Sequence, residues 1–174
     1  MQQIAYVQPQ NALVIADDSD VFLLLMHYSY IRAITGKVYM ASPIEGRAVL
    51  DICAATKNHH DIVPHLLAAH GLTGCDTVGT YFGIGKGGAL NILLKGYSLS
   101  HLGAEGKCLQ EVLSQCTEFI LACYSQSKCQ TMNEARHRAR ASKVSRSTAS
   151  ALKLPSLPPT DEAFCPNVAP AHFQ

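Results

Sequence analysis

A chain of 174 residues with 48% apolar and 16% charged side chains can bury one core, and its composition excludes a disordered polyelectrolyte. The formal charge of +1 says little by itself, but it is unevenly placed: Lys128, Arg136, Arg138, Arg140, Lys143, Arg146 and Lys153 face a single acid, Glu134, across that stretch. Seven scattered cysteines without a C-x-x-C pair fit neither a disulfide framework nor a zinc ligand set, so buried thiols in a reducing, intracellular setting are expected.

Residues 1–11 read as a polar lead-in, and "MQQIAYVQPQ" has neither the basic nor the apolar region of a signal peptide. "ALVIA" (12–16) is wholly apolar with a β-branched centre, which predicts a strand buried on both faces. "DSD" then supplies a cap and first-turn acids for a helix over "VFLLLMHYSYIRAI", stopped by Gly36. "KVYMAS" is a second strand closed by Pro43, and strand–helix–strand at this spacing predicts a parallel sheet. "GRAVLDICAAT" and "DIVPHLLAAHGLTG" read as helices, the second tolerating Pro64 near its start and stopped by Gly71 and Gly74. A glycine-rich turn at 79–95 opens an apolar helix. "LQEVLSQCTEFILACYS" is apolar at 109, 112, 113, 116, 119, 120 and 123, the spacing of one helical face. Residues 128–153 form a basic helical segment that is either solvated or a nucleic-acid contact. Residues 154–174 hold five prolines and are expected to be an extended tail. "VFLLLM" is far too short to cross a membrane, so no membrane partner is expected.

Three features could carry chemistry. Asp17, Asp18 and Asp20 end a strand where α/β folds place their ligands. Carboxylates that close together repel unless a cation intervenes, and Mg²⁺ or Mn²⁺ prefers oxygen ligands; the alternative is that they only cap the helix. "FGIGKGGAL" lets backbone N–H groups approach a phosphate, with Lys86 adding charge, although it is not a Walker motif and a plain glycine turn would read the same. His60, His65 and His70 are five apart, which rotates successive rings by about 140° around a helix and argues against zinc.

The order "ADDSD", then "TGCDT", then "GIGKGGAL" resembles the second half of the flap-endonuclease (XPG-type, PIN-like) nuclease domain. "HGLTGCDTVGTYFGIGKGGAL", "MNEARHRA" and "LPPTDEAF…AHFQ" resemble more closely an animal, transposon-associated branch of it, over residues 12–174. The resemblance implies an α/β fold: a partial PIN-like (5′ nuclease) domain over 12–127, with a short parallel sheet flanked by helices, a helix-hairpin-helix-like turn and a mostly helical second half. It implies a metal site of Asp18, Asp20 and Asp76 holding Mg²⁺ or Mn²⁺, with Asp17 less directly involved. It also implies a backbone grip on nucleic acid, DNA rather than RNA, by Gly83, Gly85 and Lys86, with K⁺ at that turn. Arg136, Arg138 and Arg140 would add phosphate contacts, and a nuclear location is compatible with such a role.

The sequence departs from the family in one respect that bears on activity. No carboxylate precedes Asp17, whereas cleavage by two metals needs ions on both the attacking and the leaving oxygen. The expected function is therefore a Mg²⁺-dependent, structure-specific nuclease with impaired catalysis. The alternative is a non-catalytic remnant that binds nucleic acid or a protein, with self-association through an exposed sheet edge. An Asp-x-Asp after a strand also opens haloacid-dehalogenase phosphotransferase sites, but the Gly-Thr that normally follows is missing here.

Overall fold

The computed structural model describes residues 11–32, 34, 36–75, 79–146 and 153–173. The fold is α/β, mostly helical, with a small three-stranded sheet. Its contacts divide the chain into two compact units, residues 1–67 and 68–174.

In the first unit β1 (Ala12–Ile15) leads into α1 (Ser19–Tyr30) and back to β2 (Val38–Ala41). β1 and β2 are parallel in the register Ala12↔Val38 to Ile15↔Ala41, as the strand–helix–strand pattern requires. The sheet is nonetheless mixed, not wholly parallel. β3 (Leu50–Asp51) runs antiparallel to β2 with Met40 opposite Leu50. Residues 42–49 are too few for a crossover, so the chain can only turn back. The helix expected from residue 46 starts later, as α2 (Ile52–Asn58), because the Asp51 carboxylate accepts the Ala54 N–H at 2.9 Å and fixes the start there. α1 likewise ends at Tyr30, before Gly36, where Arg32 enters the left-handed region at φ 58°.

Met26, Val38, Met40, Ile52 and Val63 form the core of this unit, with Val14, Phe22 and Leu25 packed against it. β1 is not buried on both faces. Val14 points into the core while Leu13 and Ile15 are 60% and 61% exposed. Three strands make a small sheet, β1 forms its edge, and only the face bearing Val14 and Met40 is packed.

α3 (Val63–Thr73) crosses from the first unit's residues to the second's, passing through Gly71 and ending just before Gly74. The second unit is built on α5 (Leu109–Cys123), which packs against α4 (Lys86–Leu94), α6 (Met132–Arg146) and α7 (Asp161–Phe173). Val112, Cys116, Phe119 and Ile120 are buried on the face the spacing predicts, and Leu121 and Ala122 join them in the last turn.

The tail differs most from expectation, since residues 161–173 are helical, not extended. Thr160 Oγ1 accepts the Ala163 N–H at 3.3 Å and Asp161 and Glu162 fill the first turn, both favourable at a helix start. Pro166 and Pro170 lie four apart on the exposed side, while Phe164 and Val168 lie four apart on the buried side at 3% and 0% exposure. Burying two such side chains is worth roughly 3–6 kcal/mol, of the order of the cost of about 3 kcal/mol for each interior proline. Packing therefore largely offsets the local preference, which the two prolines together set at about 6 kcal/mol.

Candidate functional site

The acidic run lies where β1 turns into α1. Asp18 is the N-cap of α1: its backbone is extended, and its Oδ1 accepts the Asp20 N–H at 2.9 Å. Asp20 sits in the first turn and accepts a hydrogen bond from the Ser19 hydroxyl at 3.3 Å. Capping and ligation are compatible. A carboxylate has about four lone-pair sites, and the cap occupies Asp18 Oδ1 alone. Asp17 is engaged otherwise, since both its oxygens accept from Nη1 of Arg47. That pairing assigns Asp17 a structural role, tying the end of β1 to the segment before β3. Arg47 was not singled out in the sequence. Thirty residues separate the partners, and no local pattern signals such a pair.

Asp76 lies outside the described residues, but the backbone on either side of it is informative. Gly74 has φ +114°, and a Cβ there would stand 2.9 Å from the Thr80 Cα. Residues 74 and 80 therefore meet across the "TGCDT" motif at a place only glycine can occupy. Among the described residues no three His, Cys, Asp or Glu side chains gather as a metal-binding group. Asp18 and Asp20 are linked through the cap, in which Asp18 Oδ1 accepts the Asp20 N–H, at the carboxyl end of a parallel strand.

The glycine turn is built as the sequence suggests. Gly83 adopts φ +79°, and Gly85 is the extended N-cap of α4, which begins at Lys86. The N-cap, a glycine, has no side chain with which to cap it. A Cβ at Gly83, Gly85, Gly87 or Gly88 would meet nothing within 4 Å, so these glycines leave the first-turn backbone open to approach from outside. The Tyr124 hydroxyl donates to the Phe82 carbonyl at 3.1 Å and holds the turn against the end of α5.

No family model, curated protein or solved structure matches the chain.

The three arginines of the basic helix differ in their surroundings. Arg136 donates to the Pro158 carbonyl at 2.6 Å and is half-buried, so it serves the fold. Arg138 pairs with Glu134 one turn earlier at 3.2 Å. Arg140 is exposed. Lys143 donates to the Ser156 carbonyl at 2.8 Å. Arg136 and Lys143 thus face the chain that follows α6, and Met132 and Ala135 on the same helix are fully buried. All seven cysteines are free thiols. Burial pushes the Cys116 thiol up to about 12 and the Cys123 thiol up to about 11, which leaves both protonated and unreactive near neutrality. Among the described residues no helix is long and apolar enough to cross a membrane.

Proposed function

We propose that this chain is a nuclease-like protein of the flap-endonuclease, PIN-like type that binds a divalent metal and nucleic-acid backbone but hydrolyses phosphodiesters weakly. The observation that carries the reading is the placing of Asp18 and Asp20 together at the carboxyl end of a parallel strand, where it enters α1. Asp18 and Asp20, with Asp76, would hold Mg²⁺ or Mn²⁺, which supplies Lewis acidity and lowers the pKa of a bound water. Gly83, Gly85 and Lys86 would accept a backbone phosphate at the start of α4, where the helix dipole favours an anion. Arg140 would add a diffuse, salt-sensitive contact. Arg138 would do so while keeping Glu134.

Weak hydrolysis follows from the donor set. One carboxylate trio would hold one ion, whereas cleavage by two metals needs ions on both the attacking and the leaving oxygen. The non-catalytic reading uses the same surfaces, and cleavage separates the two. The test is Mn²⁺-dependent cleavage of a labelled 5′-flap DNA, alongside Mn²⁺-induced broadening of amide resonances. The expected result is broadening centred on residues 18–20, abolished by Asp18→Asn with Asp20→Asn, with little cleavage. Absence of broadening at these residues refutes the metal site. Robust cleavage lost on Asp76→Ala refutes the weak-activity reading.

A further inference from the structure

A second charged feature is built wholly from residues of the second unit. A cavity of about 390 Å³ opens where α4 and α5 both end, and its lining includes Lys95, Tyr97, Ser127, Lys128 and Arg138. Among the described residues no aspartate or glutamate lines it. Lys95 and Lys128 are exposed and have no ion-pair partner among the described residues, and Arg138 alone is countered, by Glu134.

Basic side chains beside helix C-termini often serve only to complement the dipole or cap the last carbonyls. Here the following backbone caps these carbonyls. Beyond α4, Lys95 N–H and Tyr97 N–H donate to Ile92 O, and Gly96 N–H donates to Leu93 O. Beyond α5, Tyr124 N–H, Ser125 N–H and Gln126 N–H donate to Ile120 O, Ala122 O and Leu121 O. Ser125 takes φ 58° to make this turn. The lysine ammonium groups are thus not needed to cap either helix. Two uncountered ammonium groups beside Arg138, which Glu134 alone neutralises, repel one another unless an anion joins them. The polar wall adds direction: the Tyr97 hydroxyl donates to Ser127 Oγ at 3.3 Å. That bond uses a lone pair of the serine oxygen and leaves the Ser127 O–H to donate elsewhere.

We propose that this cavity is a phosphate-binding site, in which Lys95, Lys128 and Arg138 hold the phosphoryl oxygens and the Ser127 hydroxyl donates to one of them. The site shares no residue with the acidic run, and the glycine turn lies at the opposite end of α4. Phosphate could arrive as a small phosphorylated molecule or as the backbone of a nucleic-acid strand. The chemistry is shared, and the size of the probe tells them apart.

The experiment is a ¹⁵N-edited NMR titration of the whole chain in EDTA, with inorganic phosphate in one arm and oligo(dT) in the other. EDTA keeps the outcome independent of the metal site, so this proposal and the nuclease-like reading fail separately. Expected are saturable shifts at Tyr97, Gln126, Ser127 and Lys128 with phosphate. In Lys95→Gln/Lys128→Gln the half-saturating concentration should rise by about tenfold or more, as loss of two charge-assisted contacts implies. Both lysines are exposed, and an unchanged amide spectrum elsewhere confirms that the variant folds. Glu134→Gln, which releases Arg138, should tighten binding. Shifts with oligo(dT) as well identify backbone as a ligand, and shifts with phosphate alone identify a small-molecule site. No saturable shifts at these residues with either probe, or shifts that persist unchanged in the double variant, overturn the proposal.

Discussion

Replacing Asp161 with alanine should destabilise the second unit by about 2 kcal/mol, chiefly by uncapping a different helix from the one Asp161 begins. Its carboxylate accepts the Met132 N–H at 2.8 Å and the Asn133 N–H at 3.4 Å, both at the start of α6. In return Asn133 Oδ1 accepts the Asp161 N–H at 3.2 Å at the start of α7. The two bonds made by the carboxylate are unequal. Met132 is completely buried, so its N–H would lose a charged acceptor with little access to water, a loss of roughly 1.5–3 kcal/mol. The Asn133 bond is long and exposed, adding at most a few tenths. Loss of a negative charge from two helix starts adds about 0.3–1 kcal/mol, discounted here because Asp161 is partly solvated. Circular-dichroism melting should show a fall of roughly 4–10 °C for Asp161→Ala. Asp161→Asn, which keeps an acceptor oxygen without the charge, should fall by about half as much. Equal melting temperatures for wild type and Asp161→Ala would refute the argument, because they would mean that the Met132 N–H is satisfied without this carboxylate.

Gly74→Ala should cost at least about 2 kcal/mol, because alanine is strained at positive φ and its Cβ would collide with Thr80; urea unfolding measures it, and a change below about 0.5 kcal/mol would refute the clash. Leu13→Glu with Ile15→Glu should leave stability within about 1 kcal/mol, since both side chains are largely exposed, and should lower self-association by light scattering; a large loss of stability would show that the face is covered. Stability should decline in alkali. Burial raises Cys116 and Tyr124 up to about 12, Cys123 up to about 11, and Tyr81 further in the same direction. The unfolded chain therefore releases these protons first, so the contribution is intact below pH 9, the ordinary thiol value, and is lost as pH rises towards 12. Urea midpoints that stay level from pH 8.5 to 10.5 would contradict this. At pH 8 a chromogenic thiol reagent should label exposed Cys108 before buried Cys116 and Cys129; labelling of Cys116 first would refute the burial argument.

The elements legible in the sequence were those with a strong period or a strong stop. α5 follows its apolar spacing, the β1–α1–β2 unit follows from strand–helix–strand order, and Gly74 ends α3. The failures have physical causes. A four-residue apolar strand looks the same whether it is central or at an edge, so the exposure of Leu13 and Ile15 depended on how many strands the sheet has. β3 was hidden in a stretch with helical composition until Asp51 capped the chain after it. The prolines of the tail outweighed Phe164 and Val168 because local preference is visible in a sequence and the partner surface is not. Of the candidate site, the acidic run and the glycine turn could be placed from sequence. The Asp17–Arg47 pair and the cation cluster at Lys95 and Lys128 could not, because each joins residues far apart in the chain.

The burial of Phe164 and Val168 against a core that begins much earlier has a consequence for synthesis. The first unit has all its strands, α1, α2 and the start of α3 that carries Val63 once residue 67 is made, so it can fold while the rest is still emerging. The second unit has no such option. Met132 waits for a cap at Asp161, and α5 waits for Val168, so about a hundred residues emerge before their last packing partner exists. During that interval the apolar face of α5 is exposed in the cell, and a chaperone that recognises exposed apolar helices would find its substrate there.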